Sequence, residues 1–270
     1  SSTNRKVTAL ENGGFVLVYD DAQGGNHDIK AKLFDDNGNS IGSAIDVQTY
    51  TGGNGMSGLS VSSFTDGGFT VSWSGSAAVS SDGSESGVFA RKFDAGGNSV
   101  TATFQVNSNT NRQQSDPSVA QLTGGGFVIT WTDEYLDGSS SGVFAQLYDS
   151  SANSVGSEFL INTTTASHQR YSEVVGNPDG GFTVVWTSDA QDNTTNYSEG
   201  VGGIFGQKFD GSGTKIGSEF QINTYTESDQ SFPSISLMSD GGFVVTWQSF
   251  DQDADDYGIF GQRFDSTLNK

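Results

Sequence analysis

Carboxylates are the reactive groups this chain has in quantity. It carries 32 Asp and Glu against 12 Lys and Arg, with 2 His and no Cys. Without cysteine there is no thiolate nucleophile, no thiolate zinc site and no disulfide framework. His27 and His168 alone supply histidine catalysis or a His-rich metal site poorly. A net charge of −20 repels phosphate backbones and anionic membrane surfaces, so nucleic acid and membrane insertion are excluded as expectations. No apolar run approaches the roughly 18 residues of a membrane span. Two kinds of chemistry remain: oxygen ligation of a hard cation, and paired carboxylates acting as acid and base.

For cation binding, the strongest run is FDQDADDYG. Asp251, Asp253 and Asp255 follow the alternate spacing that lets side chains converge on one ion, with Asp256 beside them. Calcium is the expected ion, because it takes six to eight oxygens. The run departs from an EF-hand loop, with Asp256 where glycine is needed and Gln262 where the bidentate glutamate belongs. For ligand binding, the expected groups are Tyr50, Asn54, Arg112, Gln114, His168, Gln169, Arg170, Tyr225, Asp229 and Gln230. Planar amides, an acid and a tyrosine offer paired donors and acceptors beside a flat apolar surface, which suits sugar hydroxyls.

The elements that must carry these groups are repeated. Gly-Gly-Phe recurs with its Phe at 15, 69, 127, 182 and 243, and each copy has four apolar segments, here called a to d. In the third copy they are PSVAQL, GGFVITW, GVFAQLYD and SEFLINT. All alternate with period 2 over strand length. Short Asn-Gly, Asp-Gly or Gly-Gly turns join a to b, and Gly/Asn/Ser-rich turns join c to d, so consecutive strands are antiparallel neighbours. Four antiparallel strands repeated every 50 to 60 residues are the mark of a propeller blade. The expected fold is all-β, a five-bladed β-propeller with four antiparallel strands per blade, as one domain over 1–270. Its repeats fall at about 1–54, 55–111, 112–167, 168–226 and 227–270. The last copy stops at STLNK and lacks segment d, which favours a fragment of a longer chain over a natural three-strand blade.

Sixteen of the 19 Phe occupy equivalent positions, and Trp73, Trp131, Trp186 and Trp247 recur at one position of segment b. A recurrent aromatic stripe is expected to be packing between blades rather than a sugar platform. Length varies mainly in the b-to-c loops, which carry 15 acids and no Lys or Arg. Those loops and the d-to-a loops leave the same end of an antiparallel blade, so that end is the expected binding face. Three sequons start at Asn162, Asn193 and Asn196, and their use would require a eukaryotic secretory route.

The strings GGFVVTWQS, YGIFGQRFD and SEFQINTYTESDQSFPSI resemble tandem repeats of large secreted or surface bacterial proteins, notably RTX-type adhesins and calcium-binding proteins. The likeness spans nearly the whole chain and is looser in copies one and two, where Leu59 and Lys30 replace the usual Pro and Phe. It implies an extracellular or cell-surface module with no catalytic residues. The glycine-rich calcium nonapeptides of RTX proteins are absent, so calcium would rest on the loops. The expectation is therefore a noncatalytic, monomeric recognition or adhesion module, not an enzyme, whose acidic face binds calcium and a glycan or a surface protein. One alternative is a structural spacer in a surface fibre. Another is a propeller glycoside hydrolase, disfavoured because its paired carboxylates belong on inner strands around a central pocket, whereas the acids read here fall in loops.

Overall fold

The computed structural model describes residues 4–23, 26–50, 56–76, 86–189, 191–192 and 202–270. Among them there is no helix, and nineteen strands form five antiparallel sheets. Sheet 1 contains β1 (Arg5–Ala9), β2 (Phe15–Gln23), β3 (Asn26–Phe34) and β4 (Ser40–Gln48). Sheet 2 contains β5 (Met56–Ser63), β6 (Phe69–Ser76), β7 (Ser86–Phe93) and β8 (Phe104–Gln105). Sheet 3 contains β9 (Gln114–Gln121), β10 (Phe127–Glu134), β11 (Ser141–Tyr148) and β12 (Ser154–Leu160). Sheet 4 contains β13 (Gln169–Gly176), β14 (Phe182–Asp189), β15 (Gly202–Phe209) and β16 (Lys215–Gln221). Sheet 5 has three strands, β17 (Gln230–Leu237), β18 (Phe243–Phe250) and β19 (Tyr257–Phe264). Every sheet lies within one sequence repeat, and the strand missing from the fifth is the fourth.

The Gly-Gly-Phe motif has a separate task for each residue. In sheet 4, Gly180 turns the hairpin with φ +90°. A Cβ on Gly181 would lie 2.1 Å from the Phe209 carbonyl oxygen, so the backbone needs a bare residue there. Phe182 then stacks on Phe209, its register partner on the neighbouring strand, with ring centroids 4.8 Å apart. The same stack recurs at Phe15–Phe34, Phe69–Phe93, Phe127–Tyr148 and Phe243–Phe264, between 4.7 and 5.1 Å.

Four buried apolar clusters lie between sheets 1 and 2, 2 and 3, 3 and 4, and 4 and 5. Trp73, Trp131, Trp186 and Trp247 sit inside them, buried as expected of packing residues. The first strands β1, β5, β9, β13 and β17 lie beside one another in that order. Sheets 5 and 1 do not pack in the same way. Val7 is 63% exposed, whereas its equivalents Val119 and Val174 are buried, and Phe15 and Phe34 are only partly covered.

A second repeated device fixes the d-to-a turns. Asn107, Asn162 and Asn223 each accept the amide of a third-strand residue (Val88, Val143 and Ile204, all 2.8 Å). Each also donates to the side-chain oxygen of Gln114, Gln169 or Gln230. These amides are buried, and a buried polar group needs such partners. Sheet 1 has Gln48, and sheet 2 has Met56, at the corresponding positions.

Candidate axial site

All five first strands contribute to one cavity of about 460 Å³. It lies where these strands begin, the same end as the b-to-c and d-to-a loops. Its wall includes Lys6 from β1, Gly58 from β5, Asp116 from β9, Tyr171 and Glu173 from β13, and Phe232 from β17. Asp116 and Glu173 are the two carboxylates of that wall.

A bulge in each of β5, β9, β13 and β17 aims these residues. The pairing register slips between Ser57 and Leu59, opposite Thr130/Thr132, between Arg170 and Glu173, and between Ser231 and Ser234. The bulged residue has a left-handed backbone in every case: Gly58 φ +55°, Asp116 +51°, Tyr171 +57° and Phe232 +53°. Outside glycine such backbone costs on the order of 1–3 kcal/mol per residue and gathers at functional sites. A bulge also re-aims the side chain it carries. Proline at 117 and 233 suits the extended strand just after the bulge.

Gly58 is bare because sheet 3 comes too close for a side chain. A Cβ there would lie 2.9 Å from both Asp116 Cα and Pro117 Cδ. Asp116 accepts a hydrogen bond from the Ser115 hydroxyl at 2.9 Å. Burial raises its pKa above the ordinary carboxylate value, outweighing the Ser115 hydroxyl and the Arg170 charge that lower it. Glu173 accepts from the hydroxyl of Ser118, two residues beyond Asp116 on β9, at 2.8 Å. Its other oxygen lies 3.8 Å from the Lys6 ammonium. The two carboxylates are thus held on adjacent strands by separate hydroxyl donors. Tyr171 and Phe232 pack with ring centroids 4.4 Å apart, and Phe232 is 53% exposed. Two acids beside an open aromatic surface can bind a sugar ring and work on its glycosidic bond.

Four of the ten ligand-binding residues expected from sequence, Tyr50, Gln114, Gln169 and Gln230, are buried. Gln114, Gln169 and Gln230 are fully buried in the Asn–Gln clamps, which removes them from the binding surface. Tyr50 is buried, accepts the Trp73 indole N–H at 2.8 Å, and has its pKa pushed up to about 12 by burial. Arg170 pairs with buried Asp189 at 2.9 Å, and Asp229 accepts from Gly202 N and the Ser231 hydroxyl. His168 contacts the Ser141 hydroxyl, and the Tyr225 carbonyl accepts from Asn223. Arg112 stacks on Tyr135, 4.5 Å from the ring centroid. Asn54 lies outside the described residues, as do Asn193 and Asn196. Asn162 is buried in its clamp, so its side chain is closed to glycosylation.

Several loop acids are likewise structural. Asp20 meets His27 at 3.0 Å and Asp28 accepts from Tyr50 N. Asp133 is buried, accepts from Asn109, and is pushed up to about 7 by desolvation. Asp251 and Asp256 close the β18–β19 hairpin through a 2.7 Å backbone bond, with Asp253 and Asp255 between them. Among the described residues, no group of three or more His, Cys, Asp or Glu is placed to hold a metal ion.

Comparison with known proteins supplies fold, not sequence kinship. No family model matches the chain, and no curated protein matches it in sequence. Solved structures do match. A Dyadobacter fermentans protein of unknown function aligns with TM-score 0.69 at 10% identity, over 98% of this chain and 79% of its own. A Penicillium chrysogenum α-L-arabinanase bound to arabinobiose gives 0.64 at 12%, over 96% and 76%. A Fusarium graminearum α-L-arabinofuranosidase bound to an iminosugar inhibitor gives 0.62 at 11%, over 99% and 78%. The likeness to the arabinanase and the arabinofuranosidase corrects the expectation of a noncatalytic adhesion module that is not an enzyme. The acids that stand out in the sequence lie in loops. Asp116 and Glu173 stand on first strands.

Proposed function

We propose that the five sheets are propeller blades around the axial cavity and that the chain cleaves glycosidic bonds there. Asp116 is the general acid: its raised pKa keeps a proton available for the leaving oxygen. Glu173 is the second carboxylate, acting on water or on the anomeric carbon. Lys6 orients it, and the Tyr171–Phe232 pair carries the apolar face of a sugar ring. The observation behind this reading is the convergence of the two acids and the exposed aromatic pair on one cavity lined by all five first strands. The named neighbours put α-L-arabinofuranosides and arabinan first among substrates to try.

The test is a panel of chromogenic glycosides and arabinan with wild type, Asp116→Asn and Glu173→Gln. Turnover by the wild type is expected to fall by about 10²- to 10⁴-fold in each variant, the usual scale for a lost acid or base. No turnover across the panel, or full activity in both variants, overturns the assignment.

A further inference from the structure

One column of the repeat is apolar in every copy but the fourth. Leu10, Phe64, Leu122, Asn177 and Met238 each open the a-to-b turn by donating their backbone N–H to the carbonyl four residues on, all at 2.8 Å. Leu10, Phe64 and Leu122 are buried, and Asn177 is buried with them. Its Oδ1 accepts from the Thr183 hydroxyl at 3.1 Å. Among the described residues its Nδ2 has no hydrogen-bond partner, a condition that buried amides rarely keep. Asn177 lines a cavity of about 120 Å³ between sheets 4 and 5, together with Lys208, Gly241, Phe243, Ser266 and Leu268. This cavity lies at the end where β13 finishes, opposite the mouth of the axial site.

Between sheets 2 and 3 the equivalent space holds an aromatic ring. Phe64 packs edge-on against Phe127 of the next sheet, with centroids 5.7 Å apart, and Lys92 Nζ stands 4.6 Å from the Phe64 centroid. Lys92 also donates to the Ser150 carbonyl at 2.5 Å, and Ala152 packs against the same apolar cluster. Aligning the repeats places Lys208 where Lys92 stands, Phe243 where Phe127 stands, Ser266 where Ser150 stands and Leu268 where Ala152 stands. The wall is therefore kept between sheets 4 and 5, while the ring is replaced by a shorter amide. The space that remains is close to the roughly 150 Å³ of an engineered apolar cavity that takes benzene.

We propose that this cavity is a binding site for a small single-ring aromatic molecule bearing a hydrogen-bond acceptor. The ring takes the place that Phe64 fills in sheet 2, edge-on to Phe243. Its acceptor meets the Asn177 amide nitrogen. Lys208, paired with Asp179 at 2.8 Å, turns its ammonium toward the ring face as Lys92 does toward Phe64. Specificity follows from the division of the wall: Phe243 and Leu268 reject a charged or heavily hydroxylated ligand, and Asn177 favours a ring with an acceptor over a bare one.

The probe is phenol, titrated into the whole chain and followed by calorimetry and by the NMR shifts of the side-chain amides. Saturable binding is expected, about fivefold tighter than that of benzene, which is the scale of one neutral hydrogen bond. Asn177→Leu installs the residue found in copies one and three and fills the cavity; it should melt at or above the wild-type temperature and bind phenol about tenfold more weakly or worse. Asn177→Ala removes the amide and keeps the space, so phenol and benzene should bind it equally. Asp116→Asn should bind phenol as the wild type does, which separates failure here from failure of the axial site. The proposal is overturned if phenol binding does not saturate, if benzene binds the wild type as well as phenol does, if Asn177→Ala keeps the preference for phenol, or if Asn177→Leu binds phenol unchanged, the result expected were the ring to lodge on the exposed Tyr171–Phe232 pair instead.

Discussion

Asp133→Asn should make the protein less sensitive to pH between 4 and 7. Asp133 is buried at the end of β10, with Asn109 as a hydrogen-bond donor and Glu158 as a like charge nearby. Burial outweighs the hydrogen bonds, and its carboxyl is pushed up to about 7. The unfolded chain releases this proton near the ordinary value of about 3.9. Between those pH values the folded state holds a proton that the unfolded state has lost. Stability from this group is therefore complete below about pH 4, declines as pH rises, and is exhausted above about pH 7. A gap of about three pKa units at 1.36 kcal/mol each sets a ceiling of about 4 kcal/mol. Relaxation and water entry reduce such ceilings, so the expected loss is about 1–2 kcal/mol. Asparagine has the same shape and no titration, so its stability should exceed that of the wild type at pH 8 relative to the difference at pH 4. Urea unfolding at half-unit pH steps measures this, and the difference between the two proteins isolates the residue from other acids. Those acids act in the opposite direction: Asp35, Asp94, Asp149 and Asp210 have lowered pKa values from turn hydrogen bonds and favour the folded state as pH rises. Parallel stability curves for wild type and variant would refute the assignment of a buried, protonated Asp133.

Three further outcomes follow from the site and its supports. Asn162→Ala strips the Val143 amide and the Gln169 side chain of a buried partner, and should cost about 1–3 kcal/mol in urea unfolding; a cost below about 0.5 would deny the clamp. Gly58→Ala places a methyl against Asp116 Cα, and a displacement of about 1 Å at a reacting group should lower kcat/KM by about 100-fold, with far-UV circular dichroism unchanged; unaltered kinetics would refute the contact. Because Asp116 must be protonated to act as the acid and burial raises its pKa, kcat/KM should hold as pH rises beyond the ordinary carboxylate range and then decline; a decline already complete near pH 4 would assign the proton to another group.

Much of the architecture could be read from the sequence because each structural role recurs. Gly-Gly-Phe marks a hairpin, a close approach to a carbonyl and a stacking partner in each sheet, and period-2 alternation marks the strands around it. The clamp was present as well, in the Asn of segment d and the Gln seven residues later, but these amides looked like loop polarity because burial has no signature in a polar residue. That is why Gln114, Gln169 and Gln230 were expected on a binding surface. The axial acids were missed for the opposite reason. Sequence repetition draws attention to columns that stay the same, whereas this column changes in each copy: Asn4 before β1, then the bulged Gly58, Asp116, Tyr171 and Phe232. Prolines at 117 and 233 were its visible trace, since each directly follows the bulged residue and has no backbone N–H to give to the ladder.

The variable column explains how a repetitive scaffold acquires one asymmetric site. Like bulges in four first strands present Asp116, Tyr171, Phe232 and a bare Gly58 to the same cavity, so chemistry can change without altering the strands beneath. The left-handed backbone at Asp116, Tyr171 and Phe232 is unfavourable to each residue alone, and the surrounding pairing must hold it in place. Hydroxyls of the preceding sheet's second strand supply part of that hold: Thr132 accepts the Tyr171 amide at 3.3 Å and Thr187 accepts the Phe232 amide at 3.2 Å. These bonds run from one sheet to the next, so the geometry of the cavity depends on the packing between sheets as well as on each strand. A change in an apolar cluster, far from either carboxylate, should therefore reach the site through the threonine that fixes the next bulge.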